Sequence, residues 1–279
     1  MAVLDTDIGF GIVLYKEDLL SCDAFQTLSG SIEKFKPEER VAVVVFDNTP
    51  RKEDRKKNEN FCYNEYVEVF YFTENENRGL PYAYNLFAEK LEQLSKNWMV
   101  LLDQDTSLPD DFVAKYLAVD SSNFVNCPLV FSNGNLMSPS KFHKYRPSPV
   151  TITDQKSLPL SDLTCINSGL MISVAFYNQI GGYNPNLFLD FCDHDFIERV
   201  KKAGVTQIGI VDCKLIQDFS AVSHTKAQSL FRYGLFVKDL QEFYRGRNKF
   251  TVFTRVDLPR LLKLSYTFKT LEFVKTRLF

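Results

Sequence analysis

The sequence predicts an α/β fold: a mostly parallel sheet flanked by helices, followed by a helical C-terminal extension. Three observations carry that reading. Apolar runs of strand length recur at residues 9–15, 41–46, 67–72 and 98–102. Segments with helical spacing separate them, and strand–helix–strand alternation builds parallel sheets with helices on both faces. From about Thr225 onward only helical spacing remains.

Each element has its own signal. Residues 9–15 read as a buried first strand and residues 18–35 as a helix. Val41, Val43, Val44 and Val45 make the second strand β-branched and unbroken, as burial on both faces requires. Asp47-Asn48-Thr49-Pro50 closes it. The polar stretch 51–60 predicts a mobile loop. Residues 67–72 form a third strand, with Asn75-Glu76-Asn77-Arg78-Gly79 as the turn after it. Leu80, Ala83, Tyr84, Phe87, Ala88, Leu91 and Leu94 recur at helical spacing. Pro81 suits the first turn of that helix, where a missing N–H costs little. The next strand is the one that ends in Asp103.

The second half is less regular. Pro109-Asp110-Asp111-Phe112 opens a helix. Residues 130–137 carry Asn133-Gly134 and predict a hairpin. Residues 138–160, rich in Ser, Pro and Lys, predict a long surface loop. A short strand at 170–173, a helix at 174–180 and a turn at 181–185 follow. A helix over 188–203 holds a second acidic cluster, with Gly204 as its cap, and 207–211 is a strand. Leu230, Tyr233, Gly234, Val237, Leu240 and Tyr244 mark one helix of the extension. Leu261, Leu264, Phe268 and Leu271 mark another.

Bulk properties narrow the function. The chain has 279 residues, a formal net charge of −2 and 45% hydrophobic residues. A near-neutral chain argues against a nucleic-acid partner. The six cysteines are scattered without zinc or redox spacing, so a reduced, cytoplasmic chain is expected. The first residues lack the pattern of a signal peptide. No apolar stretch is long enough to span a bilayer.

The sharpest feature is the run Trp98-Met99-Val100-Leu101-Leu102-Asp103-Gln104-Asp105-Thr106. Carboxylates at the carboxyl end of a central strand face the crevice where open α/β sheets bind ligands. In an extended segment, Asp103 and Asp105 point to one side and repel unless a cation joins them. The functional reading is a hard divalent cation, Mn²⁺ or Mg²⁺, shared with a diphosphate. The bland one is a strand-end turn capped by Asp105. Asp190-Phe191-Cys192-Asp193-His194-Asp195 with Arg199 is the second cluster. It is either a negative first turn with an Asp195–Arg199 pair, or the source of a general base. Asp47-Asn48 either binds a base or ribose or makes an Asx turn before Pro50. Asn77-Arg78-Gly79 precedes a helix whose first amides are candidates for a phosphate. His143, His194 and His224 carry no spacing that marks them as ligands.

Taken in order, these blocks resemble the family 2 glycosyltransferases of GT-A (Rossmann-like) fold. The matching blocks are Val45-Phe46-Asp47-Asn48, Asn77 through Asn85, Leu102-Asp103-Gln104-Asp105-Thr106, Asn167 through Ser173, Ile180-Gly181-Gly182-Tyr183-Asn184, and Phe188 through Asp195 with Arg199. The Asp-Gln-Asp-Thr form is most similar to the rhamnosyl- and galactofuranosyl-transferase-like branch. The resemblance implies a GT-A unit over 1–224, with a nucleotide-binding half of about 1–106 and an acceptor half of about 107–224, and an extension over 225–279. It implies an inverting, metal-dependent transfer from a UDP- or dTDP-linked sugar to a glycan or lipid-linked acceptor, in bacterial surface polysaccharide synthesis. Tyr15, Asp47, Asn77, Arg78, Asp103 and Gln104 would bind the donor. Asp105 would bind the metal, Asp193 would be the catalytic base, and Ser168, Gly169, Asp190 and Asp195 would line the acceptor.

Two positions depart from the family pattern. Cys192 stands where a Glu often precedes the base. Gln217 stands where relatives carry a metal-binding His, and His224 is the nearby alternative ligand. Basic residues among aromatics and leucines in the extension give two readings: contact with an anionic membrane, or a helix packed on the catalytic unit. A sugar-nucleotide nucleotidyltransferase is a rival reading, but Tyr15-Lys16-Glu17-Asp18 is not its Gly-rich basic loop. A degenerate transferase-like binding or scaffold module is the non-enzyme alternative, supported by Cys192 and Gln217.

Overall fold

The computed structural model describes residues 7–50, 59–143, 145–152, 155–217 and 225–278. The first half runs β1 (Ile8–Leu14), α1 (Asp23–Phe35), β2 (Val41–Asp47), β3 (Glu59–Cys62), β4 (Val67–Thr73), α2 (Leu80–Gln93) and β5 (Trp98–Asp103). It continues with β6 (Thr106–Ser107), α3 (Phe112–Leu117), β7 (Val125–Ser132), β8 (Asn135–Ser138), β9 (Ser140–His143), β10 (Arg146–Ser148), β11 (Ser157–Pro159), β12 (Leu163–Thr164) and β13 (Met171–Ser173). Then come α4 (Val174–Gln179), α5 (Cys192–Lys202), β14 (Gln207–Gln217), α6 (Lys226–Phe243), α7 (Lys249–Val252), α8 (Leu258–Thr267) and α9 (Glu272–Leu278).

The main sheet has the order β11-β14-β7-β13-β5-β1-β2-β4-β3. β5, β1, β2 and β4 are parallel, and β7 and β14 are parallel. β13 lies antiparallel between β5 and β7, so the sheet is mixed, with a parallel nucleotide-side half. Every residue of β1 and β2 is buried, which explains their uninterrupted apolar sequence. One apolar cluster under α1 and α3 fills one face. A second, under α2, α4 and α5, fills the other. The chain leaves β1 toward β2 on one side and returns as β5 on the other. The carboxyl ends of β1 and β5 therefore form a topological switch point, where ligands of such sheets bind.

Several expectations need correction. The first helix starts at Asp23 and the acidic-cluster helix at Cys192, each later than the sequence pattern suggested. Residues 138–160 are not a plain loop. β9 and β10 pair there and join β12, and β11 adds to the edge of β14. Of the expected loop 51–60, residues 51–58 lie outside the described residues, and β3 begins at Glu59 as an exposed edge strand. The strand expected to end at 211 runs to Gln217. The hairpin is as expected: Asn133 and Gly134 both have positive φ, the geometry of a two-residue β-turn.

The extension opens with a capping box, in which Thr225 and Gln228 satisfy each other's backbone amides. Of its second expected helix, Leu261 and Leu264 lie on α8, which follows a π-helical turn (Phe253–Asp257); Phe268 caps the end of α8, and Leu271 lies just before α9. Tyr233, Phe236, Leu240 and Phe273 pack into a core of their own. Asp257, fully buried, accepts from Tyr233 at 2.6 Å and pairs with Arg277.

Candidate active site

β5 delivers Asp103 to the end of the sheet, and the chain turns at once through Gln104 and Asp105. The segment is a turn and not an extended strand, yet both carboxylates still face one partner. The Gln217 amide nitrogen at the end of β14 donates to Asp103 at 3.2 Å and to Asp105 at 3.0 Å. The Ser168 hydroxyl lies between two acceptors, the Gln217 carbonyl oxygen at 2.8 Å and the Asp103 carboxylate, and its one proton serves either. Burial pushes the Asp103 carboxyl up; the bonds from Ser168, Gln217 and Tyr84 oppose it, and the charge of Asp193 adds to the rise. Asp105, at the exposed lip, is raised by desolvation and then by the charge of Asp103. The charges of Asp193 and Asp103, and of Asp103 and Asp105, are thus felt across the same centre.

The second cluster joins this centre through Asn167. Its amide donates to the Cys192 sulfur at 3.5 Å, and its carbonyl accepts from Tyr183 at 2.6 Å. Burial holds the Cys192 thiol well above its ordinary value, so it stays protonated and is no nucleophile. Phe191, at φ 64°, turns the chain into α5. Asp193 follows, with a fifth of its side chain exposed and one oxygen accepting from the His194 amide at 2.7 Å. Thr164 and the His194 ring share a hydrogen bond at 2.7 Å, which fixes that residue beside the cluster.

The remaining candidates fall into distinct places. Gln104 brackets Tyr15: its carbonyl accepts from the Tyr15 amide at 2.7 Å and its amide donates back at 3.3 Å. Its side chain therefore ties β1 to β5. Asp47 makes the Asx turn, accepting from Thr49 at 2.9 Å, and takes the Tyr71 hydroxyl at 2.8 Å. It is 1% exposed. Its neighbour Asn48 reaches across to α2, accepting from Arg78 at 2.8 Å and donating to Gly79 at 3.1 Å. Asn77 accepts from the Gly79 amide at 2.8 Å. Arg78 pairs with Glu74 and Glu76 and lies over the Tyr82 ring. The helix tip expected to meet a phosphate is largely spoken for. The Leu80 amide donates to the Phe188 carbonyl at 2.8 Å, and Pro81 has none to offer. Gly79, at φ 81°, is needed there, since a Cβ would sit 2.5 Å from that carbonyl.

Three acceptor candidates take structural positions. Ser168 is fully buried against Asp103. Gly169 is enclosed: a Cβ would lie 2.5 Å from both Leu215 and Pro128, and Tyr116 donates to its carbonyl at 2.6 Å. Neither presents surface to an acceptor. Asp190 pairs with Arg232 and lies 3.7 Å from Arg260. Asp195 lines a cleft with Phe142, Tyr145, Tyr244 and Arg245. Burial raises its carboxyl, and one of its oxygens is buried with no hydrogen-bond partner among the described residues. The expected Asp195–Arg199 pair gives way to bonds from Arg199 to the carbonyls of Ile180 and Gly181. His224 lies outside the described residues. Among the described residues no group of three or more His, Cys, Asp or Glu side chains is placed to hold a metal. Asn167, Arg232 and Asp239 were missed. Asp239 alone left a signal, an acid inside the apolar stripe of α6.

The family model for glycosyl transferase family 2 matches residues 19–181, more than half the chain. The chain belongs to that family. This family 2 glycosyltransferase is 22% identical over 204 residues to the dTDP-rhamnosyl transferase RfbF of Shigella flexneri, covering 68% of this chain and 62% of the relative. It therefore spans less than two thirds of that relative's length. Its fold is similar to GalNAc-T7 solved with UDP, GalNAc and Mn²⁺, with TM-score 0.57 and 13% identity over 94% of this chain and 58% of that one. It is also similar to the mannosyltransferase PcManGT of Pyrobaculum calidifontis solved with GDP-Man and Mn²⁺, with TM-score 0.54 and 13% identity over 95% and 76%. At these identities the likeness is one of fold, and that fold is GT-A.

Proposed function

We propose that this family 2 glycosyltransferase moves a sugar from a nucleoside diphosphate to a hydroxyl of a glycan or lipid-linked acceptor, with inversion, in surface polysaccharide synthesis. One observation carries the reading. The hydrogen-bonded line Asp105–Gln217–Asp103–Ser168 ends beside Asn167, which grips Cys192 next to Asp193. Acids from separate parts of the chain thus meet at the carboxyl end of β5, in the parallel half of the sheet. The name of the Shigella relative makes a thymidine-diphosphate deoxyhexose the first donor to try. UDP-sugars come next, since structural neighbours were solved with UDP.

In this reading Asp193 takes the proton of the acceptor hydroxyl as that oxygen attacks the anomeric carbon from the face opposite the diphosphate. Tyr15 and Asn77 line the cavity for the donor, with Arg78 at the turn ahead of α2, while the buried Asp47 supports that wall from behind through Thr49 and Tyr71. Asp103 and Asp105 fit a hard divalent cation: two carboxylates raised by burial and, for Asp105, by its neighbour's charge gain from a shared counter-charge. Gln217 bridges them and would turn its carbonyl to the ion or yield to it. Mn²⁺ or Mg²⁺ held there with diphosphate oxygens would stabilise the charge on the departing group. Residues to about 224 form the catalytic unit in this reading, and 225–279 the extension.

The extension also supports a second part of the proposal, peripheral contact with a membrane carrying the acceptor. Phe250, Leu262, Tyr266, Leu271 and Leu278 are all exposed there, among lysines and arginines. Among the described residues no helix is long and apolar enough to cross a membrane. The test of the main reading is release of nucleoside diphosphate from a panel of dTDP-, UDP- and GDP-sugars with Mn²⁺. Donor-dependent release that Asp193→Asn removes supports it. No release from any donor, with and without acceptor extracts, refutes it.

A further inference from the structure

A cavity of about 500 Å³ lies where β1 and β2 end and α2 begins, and its two walls come from distant parts of the chain. Tyr15, Asn48 and Asn77 stand on one wall, at the carboxyl ends of β1 and β2 and ahead of α2. Ala227, Phe231 and Leu235 stand on the other. These three follow one another at intervals of four along α6, so they form a single stripe of that helix. Phe231 leaves 67% of its surface exposed and Tyr15 leaves 40%. Both are large rings on the lining of a cavity whose size suits a small ligand. α6 lies beyond the residues matched by the family model, so this wall belongs to the chain's own extension.

We propose that α6 completes the donor site and that Phe231 covers the nucleoside of the bound nucleotide opposite Tyr15. The inference rests on the reading of the protein as a nucleotide-sugar transferase. The chemistry is that of a flat, amphipathic ring. Two aromatic side chains offer faces to stack on, while Asn48 and Asn77 bring polar groups to the same cavity. Tyr15 is already held by Gln104, one residue from Asp103, so a nucleoside beside Tyr15 would direct its phosphates toward the acidic turn. Arg232 also lines the cavity but is engaged by Asp190, which anchors the wall to the loop ahead of α5.

The test uses the full chain and titrations of dTDP, UDP and GDP in the presence of Mn²⁺. Phe231→Trp places an indole in the cavity. The natural tryptophan, Trp98, is buried at the start of β5, at the opposite end of that strand from Asp103. Saturating nucleotide should quench the new indole and leave wild-type emission nearly unchanged. Phe231→Ala should weaken nucleotide binding about tenfold by calorimetry, the effect of losing one stacked ring. An exposed side chain can be removed without unfolding, and an unchanged circular dichroism spectrum checks it. Wild-type binding with no quenching in Phe231→Trp and no loss in Phe231→Ala overturns this inference and leaves the transferase reading standing. Failure of the wild-type chain to bind any of the three nucleotides overturns both.

Discussion

The carboxylate of Asp239, on α6, accepts the amide of Leu189 at 2.8 Å, and it takes the neighbouring amides of Phe188 and Asp190 at 2.8 Å as well. Three consecutive N–H groups thus converge on one side chain that is 1% exposed. On its other side the same loop is held by the Leu80 amide, which donates to the Phe188 carbonyl. The loop leads directly into Phe191 and the first turn of α5, where Asp193 sits. A residue of the extension therefore fixes the approach to the proposed base. Asp239→Ala would leave buried amides without acceptors, each costing about 1–3 kcal/mol. We expect a loss of at least about 2 kcal/mol in urea denaturation. Nucleoside diphosphate release should fall as well. Unchanged stability would show that the three bonds carry no weight.

Asp193→Asn tests the base. Asparagine keeps the shape and can still accept from the His194 amide, but it cannot take a proton. Transfer should fall at least about a hundredfold, the usual scale of general-base removal. Nucleotide affinity measured by calorimetry should stay within about twofold, because the change alters no donor contact. Retained transfer would assign the proton to another group.

The acidic turn predicts a pH dependence with a definite sign. Both Asp103 and Asp105 have folded values raised above the ordinary 3.8. A raised value means the folded state holds its proton more tightly. The resulting stabilisation is complete below the ordinary value and lost as pH rises through the raised ones. The metal-free protein should therefore melt at a lower temperature at neutral pH than these two groups would allow in mild acid. Asp105→Asn should raise the neutral melting temperature and flatten that slope. Adding Mn²⁺ at neutral pH should stabilise the wild type and leave Asp105→Asn unaffected. Equal shifts in both proteins would remove Asp105 from the metal site.

Gln217 offers a gain-of-function test. Its amide nitrogen lies within 3.2 Å of both carboxylates. Gln217→His replaces an amide with an imidazole, a far better ligand for Mn²⁺. Metal affinity should rise at least about tenfold, at the cost of the bond from Ser168. No gain would mean that the position cannot reach the ion.

The parallel half was legible because strands buried on both faces must be written as apolar runs, and β1, β2 and β5 obey that rule. The short strands β9 to β12 escaped notice. Three or four residues carry too little pattern, and their partners are set by the tertiary fold. Within the site, the turn at Asp103-Gln104-Asp105 announced itself by ending an apolar strand. Gly169 misled, since the sequence does not separate a glycine packed against Leu215 and Pro128 from one bordering a ligand. Asp239 acts on residues about fifty positions earlier. No local pattern encodes a bond of that span.

The exposed apolar residues of the extension make the membrane proposal testable. Tyr266 is 87% exposed and Leu262 60%, both on α8, with Lys263 between them. In water such surface is a cost; at an anionic bilayer the rings and leucines bury while the lysines meet headgroups. The full chain should sediment with vesicles containing phosphatidylglycerol and remain free of neutral phosphatidylcholine vesicles. Raising salt should weaken the binding, because exposed charges are screened. Leu262→Glu with Tyr266→Glu should abolish it while nucleotide binding stays intact, since both residues lie outside the donor cavity. If the double variant still sediments, or if the wild type never does, that face does not meet a bilayer.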